Sequence, residues 1–289
     1  MRTTRKRRSG VKNMMKNKGY SVLMSVYHKE KPEFFRTSIQ SMLEQSVMPS
    51  DFVIVCDGPL GEGLEAVIRQ VCGEYPDLFQ IVRIPVCGGL GKALNEGLRH
   101  CRQEVIARMD SDDISVPTRC RMQLEAMERE GADIVSGTLY EFEQDPGKPG
   151  KARKLPQSHE EILRFARRRN PFNHPCVMYR KSAVMTAGGY RHCPYFEDYD
   201  LWARMLLGGS RGYNLQEPLL YMRAGKDMYA RRGGFAYARL ALKFRWSLKK
   251  RGLSGWSDFL VSGVGQFLIS IAPNQLRRNL YGKLLRKEV

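Results

Sequence analysis

The strongest constraint on this chain lies in residues 19–110, where short apolar runs alternate with stretches of helical spacing. Residues 20–27 (YSVLMSVY), 52–56 (FVIVC), 80–84 and 104–109 are each too brief for a core helix and rich in β-branched or aromatic side chains, so they read as buried strands. Between them, Pro32 opens a helical pattern through Gln45 that sets Phe35, Ile39, Met42 and Leu43 on one side, and residues 64–72 and 90–101 give two more helices. Strands that are apolar throughout are covered on both faces, and strand–helix alternation produces parallel neighbours. The expectation is an α/β fold, a mostly parallel central sheet with helices on both faces. Ligands of such sheets sit at the carboxyl ends of the strands.

Acidic residues cluster where that rule points. Asp57 ends the second strand, and Asp110-Ser111-Asp112-Asp113 ends the fourth. Side chains alternate along extended backbone, so Asp110 and Asp112 are expected to face one ligand together. Oxygen ligands suit Mg²⁺ or Mn²⁺, ions commonly held by one or two carboxylates plus the phosphates of a substrate, which implies a nucleoside diphosphate. A capped turn ahead of Pro117 accounts for the same residues without any ligand. Farther on, Glu197-Asp198-Tyr199-Asp200-Leu201-Trp202 opens a helix running to Leu207, where acids also complement the helix dipole and Leu201 and Trp202 read as packing. His174, before Pro175, is a candidate contact to a diphosphate or acceptor, though a lone histidine more often serves structure. Lys92 in GGLGKA is not part of a phosphate loop, since Val86 and Ala93 stand where a glycine and a Ser or Thr are needed. At the start of its helix it can still lie near phosphates. No Gly-x-Gly-x-x-Gly follows the first strand, which argues against a nicotinamide or flavin enzyme.

The formal charge of +18 is segregated. Residues 1–18 carry +8 and residues 223–289 carry +12, whereas the body between them is −2. Basic ends on a near-neutral body suit an anionic partner, a nucleic acid or the cytoplasmic leaflet of a membrane. The seven cysteines include no Cys-x-x-Cys pair, which fits reduced thiols in the cytoplasm better than disulfides or zinc. No signal-peptide core follows the basic start, and the least polar run, residues 259–272, is too short to span a bilayer.

Taken in order, these segments resemble the family 2 glycosyltransferases across residues 20–221. YSVLMSVYHKEKPEFFRTSIQSMLEQS is similar to the family's first strand and helix, and DFVIVCDGP to its second strand and Asp-Gly turn. GGLGKALNEGL with EVIARMDSDDISVPTR resembles the helix, strand and Asp-x-Asp segment. NPFNHPCVMYRKSAVMTAGGYR and FEDYDLWARML resemble the acceptor-side strand and the Glu-Asp motif. The likeness is to enzymes of bacterial exopolysaccharide (the amylovoran-biosynthesis type), lipopolysaccharide and capsule assembly. It implies a GT-A (nucleotide-diphospho-sugar transferase) fold, a UDP-sugar donor, a divalent cation (Mn²⁺ or Mg²⁺) and inversion at the anomeric carbon. It further implies donor contacts from Val26, Tyr27, Asp57, Lys92, Asp110, Ser111 and Asp112, with Asp112 also holding the metal. Asp198 would be the catalytic base, with Glu197, His174 and Trp202 as secondary or acceptor-side residues. Cys56 departs from the pattern, since many members carry a second Asp before Asp57.

The chain is thus expected to divide into a basic, disordered tail (1–18), a catalytic domain (19–222) and a basic helical extension (223–289). Met14 or Met15 is an alternative start. In the extension, residues 231–251, 256–272 and 275–287 read as amphipathic helices; Trp256, Phe259, Leu260, Phe267, Leu268 and Ile269 are apolar, and Arg277, Arg278, Lys283, Arg286 and Lys287 basic. Such helices can lie on an anionic membrane, where a lipid-linked glycan acceptor would be found, or pack on the domain with their charges solvated. Residues 144–154, rich in Pro and Gly, are the expected mobile loop. The rival readings are a nucleic-acid-binding protein using the basic ends, a catalytically inactive assembly protein of the same fold, and a nucleotidyltransferase. The near-neutral body without a zinc-finger pattern, the intact Asp112 and Asp198, and the VYHKEKP stretch in place of a glycine-rich loop argue against each in turn.

Overall fold

Strands β1 (Tyr20–Val26) and β2 (Asp51–Asp57) alternate their side chains between two separate cores. Val22, Met24, Phe52 and Ile54 face one side, where helices α1 (Pro32–Leu43) and α2 (Glu62–Glu74) cover them; Leu23, Val53 and Val55 face the other. Strand β3 (Phe79–Ile84), helix α3 (Leu90–His100) and strand β4 (Val105–Asp110) complete a parallel unit in the order β3-β2-β1-β4. α3 lies flush on this unit because residue 97 is Gly: a Cβ there would collide with Leu23 and Val55. In a computed structural model, residues 19–224, 234–271 and 287–288 of the chain are described.

Beyond β4 the sheet becomes mixed. After β5 (Ile114–Ser115) and helix α4 (Arg119–Glu130) comes strand β6 (Ile134–Phe142), and β7 (Lys151–Arg153) pairs back on it antiparallel. Helix α5 (His159–Ala166), a 3₁₀ turn (His174–Cys176), β8 (Met178–Arg180) and α6 (Lys181–Thr186) follow. β8 lies antiparallel between β4 and β6, and β9 (Gly212–Arg223), reached through α7 (Glu197–Leu207), runs parallel to β6. A short strand β10 (Lys287–Glu288) closes the β7 edge.

The extension packs on the domain through its inner surface. Helix α8 (Phe235–Lys250) stacks Phe244 on Phe196 at 4.6 Å, and Arg245 donates to the Tyr199 hydroxyl at 3.1 Å. Arg251 joins Asp200 at 2.8 Å, and Asp200 also receives Arg204 at 2.9 Å, so α8 is bolted to α7. The following helical run, α9 (Trp256–Phe259), a π turn (Leu260–Val264) and α10 (Gly265–Ile271), is fixed by buried Asp258, which Arg167 and Arg168 meet at 2.6 Å.

Three expectations change. Residues 151–153, assigned to a mobile loop, form β7, because the Gly150 N–H already returns to the Glu141 carbonyl and closes a hairpin. Lys287, expected at a helix end, is in β10, whereas the rest of that helix, the N-terminal tail and residues 225–233 lie outside the described residues. Asp112 lies in a turn past the end of β4, so strand alternation does not set its direction relative to Asp110.

Candidate active site

The sheet register brings three strand ends together. Ser25 lies opposite Asp110 and Val26 opposite Cys56, so the ends of β4 and β2 flank residues 26 and 27. The Val26 side chain is in the core, leaving its backbone to meet a ligand, and Tyr27 is exposed. Asp57 is buried and braces a loop: it accepts from Gly88 N at 2.7 Å, Gly89 N at 2.9 Å and Cys87 Sγ at 3.3 Å. Gly89, at φ 87°, begins α3, a geometry that favours glycine. Asp57 therefore sets the entry of α3, and exposed Lys92 lies in that helix's first turn, over Gly88.

At the end of β4 sits a crowd of carboxylates. Asp110 is gripped by both terminal nitrogens of Arg108, whose side chain is almost fully buried. Ser111 donates to Glu30 at 2.7 Å. Arg223, at the end of β9, donates its backbone N–H to Asp113 at 2.8 Å and its Nε to the Asp112 carbonyl at 3.2 Å, while its guanidinium lies 3.6 Å from the centre of the Phe34 ring. Burial, Asp110 and Glu30 push the Asp112 carboxyl up to about 7. Burial, Asp110 and Asp112 push Asp113 well above the carboxylate range, and its buried Oδ2 has no partner. Mutual repulsion of this kind is what a bound cation relieves.

Among the described residues, no three His, Cys, Asp or Glu side chains converge closely enough to hold a metal by themselves. The donor set nevertheless fits Mg²⁺ or Mn²⁺ held by one or two carboxylates and completed by substrate phosphates. Asp112 suits it best, because no basic side chain among the described residues lies within ion-pair distance of its carboxylate.

Asp198 sits in the first turn of α7. Its Oδ2 accepts from Asn170 Nδ2 at 2.6 Å and its Oδ1 from the Tyr199 N–H at 2.7 Å, which fixes the carboxylate's direction. Neighbouring Glu197 lies against the start of α3 at Gly91, and burial raises its pKa. Tyr190 has its hydroxyl within electrostatic reach of Arg108, Asp198 and Asp110. It is held through paired bonds with Asn95, at 2.7 and 2.8 Å, and through a 2.9 Å bond to His174 Nε2. Loss of water and the Arg108 charge keep His174 neutral. Trp202 is fully buried among Phe172, His174, Tyr179 and Tyr190, so it supports the floor of the site by packing.

A family model described as "Glycosyl transferase family 2" matches residues 21–187. The chain belongs to that family. It is 38% identical over 271 residues to the amylovoran biosynthesis glycosyltransferase AmsE of Erwinia amylovora, covering 91% of this chain and 98% of the relative. It is 34% identical over 269 residues to the UDP-Gal:alpha-D-GlcNAc-diphosphoundecaprenol beta-1,3-galactosyltransferase of Escherichia coli, covering 93% and 97%. The fold matches S. aureus TarS 1–349 in complex with UDP-GlcNAc (TM-score 0.64, 15% identity, 92% of this chain and 76% of that one). It also matches the mannosyltransferase PcManGT of Pyrobaculum calidifontis in complex with GDP-Man and Mn²⁺ (TM-score 0.61, 14% identity, 90% and 72%). The architecture is thus the GT-A fold, and the resemblance seen in the motifs extends over nearly the whole family 2 chain.

Sequence reasoning passed over Glu30, Arg108, Asn170, Tyr190 and Arg223. Arg108 carried a readable signal, since on β4 it shares a face with Asp110 two residues later. The others reach the site only through tertiary folding.

Proposed function

We propose that this family 2 enzyme transfers a sugar from a UDP-sugar, with inversion, to a hydroxyl of a lipid-linked glycan acceptor in cell-surface polysaccharide synthesis, working at the cytoplasmic face of the membrane. The support for donor and acceptor class is the relative named for UDP-Gal and a diphosphoundecaprenol acceptor, together with the fold neighbour solved with UDP-GlcNAc. The observation that carries the reading is Asp198, aimed by Asn170 and its own helix, with Tyr190 within electrostatic reach of both Asp198 and Asp110. Inversion in one displacement forms the bond from acceptor oxygen to anomeric carbon as the bond to the diphosphate breaks. Asp198 accepts the hydroxyl proton during that attack.

Asp112 would hold the divalent cation, Mn²⁺ or Mg²⁺, against the donor's diphosphate. When bound, it would offset the charge developing on the leaving group. Arg108 holds Asp110 in place, and Asp57, through residues 87–89, sets the first turn of α3 and would set Lys92 beside the donor. The neutral His174 ring holds the Tyr190 hydroxyl, which is within electrostatic reach of Asp198 and Asp110. A panel of UDP-sugars tests the reading: one should raise the melting temperature in the presence of Mn²⁺ and support transfer, and Asp112→Ala should lose both effects. Equal protection by UDP in chelator, or by Asp112→Ala with Mn²⁺, would remove the metal role.

A further inference from the structure

Among the described side chains of the helical run from Trp256 to Ile271, the large exposed ones are apolar. Residues 259–271 contain no charged side chain, and the only charge in the run, Asp258, is buried against Arg167 and Arg168. On the outside, Trp256 is 59%, Leu260 55%, Val261 60% and Val264 43% exposed. Their spacing of four, one and three residues makes a single stripe on the helix. A surface helix ordinarily shows polar residues to water, and a contiguous apolar stripe that remains exposed marks a surface that meets something apolar.

The border of the stripe says what that is. Lys249 Nζ lies 3.7 Å from the centre of the Trp256 ring and 4.8 Å from that of Trp246, and Lys250 Nζ lies 5.9 Å from Trp246. Indole rings under ammonium groups at the edge of an aliphatic stripe match the layered chemistry of a bilayer, in which anionic headgroups overlie acyl chains. Phe235, 68% exposed and packed edge-on to Phe267 at 6.1 Å, adds a further apolar contact on the neighbouring helix α8. Among the described residues no helix is long and apolar enough to cross a membrane, so this helix would lie along a surface.

We infer that the outer face of residues 256–264, rimmed by Lys249 and Lys250, is the docking surface for an anionic phospholipid membrane. The inference rests on the membrane-face reading above and names the surface that brings it about. Because Arg251–Asp200 and Arg245–Tyr199 tie α8 to α7, docking here holds the helix that bears Asp198 at a fixed height above the lipid.

The test uses the full chain and sonicated vesicles of phosphatidylcholine alone or with 30% phosphatidylglycerol, read by flotation and by tryptophan emission. Trp202 is buried, so a blue shift on binding comes from Trp246 and Trp256, and Trp256→Phe should remove most of it. Leu260→Gln with Val264→Gln, which leaves net charge unchanged, should weaken binding to the anionic vesicles about tenfold or more, as loss of inserted aliphatic surface requires. Lys249→Gln with Lys250→Gln should weaken it by about fivefold per lysine. Unchanged melting temperatures in these variants would exclude misfolding. Unaltered vesicle binding in Leu260→Gln/Val264→Gln would overturn the inference and hand the interaction to the basic ends. A dimer in sedimentation velocity that this same variant dissociates would show the stripe to be an interface between copies. Vesicle binding needs neither donor nor acceptor, so failure of the transferase reading would leave it intact, and Asp112→Ala should bind vesicles normally.

Discussion

Replacing Asp112 with Asn should stabilise the metal-free protein while disabling it. Its carboxyl has a pKa of about 7 in the folded chain against 3.8 for the free side chain, driven by burial, Asp110 and Glu30. Relative to the fully ionised state, the raised value contributes stability that is complete below pH 3.8 and is lost as the pH rises through about 7. At roughly 1.4 kcal/mol per pH unit the full shift would amount to about 4 kcal/mol, but the carboxyl still touches water, which screens the repulsion to about 1–2 kcal/mol. Asn removes this cost without changing shape. In thermal unfolding with chelator, Asp112→Asn should therefore melt about 2–6 °C above the wild type at pH 8, with the difference shrinking as the pH falls and gone below pH 3.8. With Mn²⁺ and UDP at pH 8 the order should reverse, because only the wild type gains from binding. A variant equally or less stable than the wild type at both pH values would refute the idea that these carboxylates repel one another.

Other outcomes follow from neighbouring contacts. Asp200→Asn leaves Arg204 and Arg251 without their shared, mostly buried acid, and should cost about 2–4 kcal/mol, seen as a lower urea midpoint with loosened α8. Asn170→Ala removes the bond that aims Asp198 and should lower kcat about 10- to 100-fold with little change in donor KM, measured by UDP release. Gly97→Ala forces α3 off Leu23 and Val55 and should destabilise by about 1–3 kcal/mol in the same unfolding assay.

The parallel half of the molecule was legible because β1 and β2 are mostly apolar runs each followed by a helix with a clear face, because β4 is apolar apart from Arg108 and its terminal Asp110, and because Asp57 and Asp110 stand at strand ends, where topology alone puts a ligand. The antiparallel half was less so. β7 and β8 are three residues each, too short for a periodicity to declare itself, and β7 lay within a Pro- and Gly-rich stretch. Asp57 shows the limit for single residues: its type and place were evident, but its hold on Gly88 and Gly89 depends on a loop 31 residues later. Likewise Arg223 and Asn170 meet the acidic residues across 110 and 28 residues of chain, distances over which no local pattern speaks.

Asp198 is the group proposed to take the acceptor's proton. The most direct measurement compares Asp198→Asn with the wild type in a transfer assay, using the UDP-sugar and lipid-linked acceptor that the wild type turns over and with UDP affinity in Mn²⁺ determined in parallel. We expect UDP to bind both with similar affinity and turnover by Asp198→Asn to fall by about 10²–10⁴-fold. Near-normal turnover by Asp198→Asn would contradict the assignment and, with it, the mechanism built on that side chain.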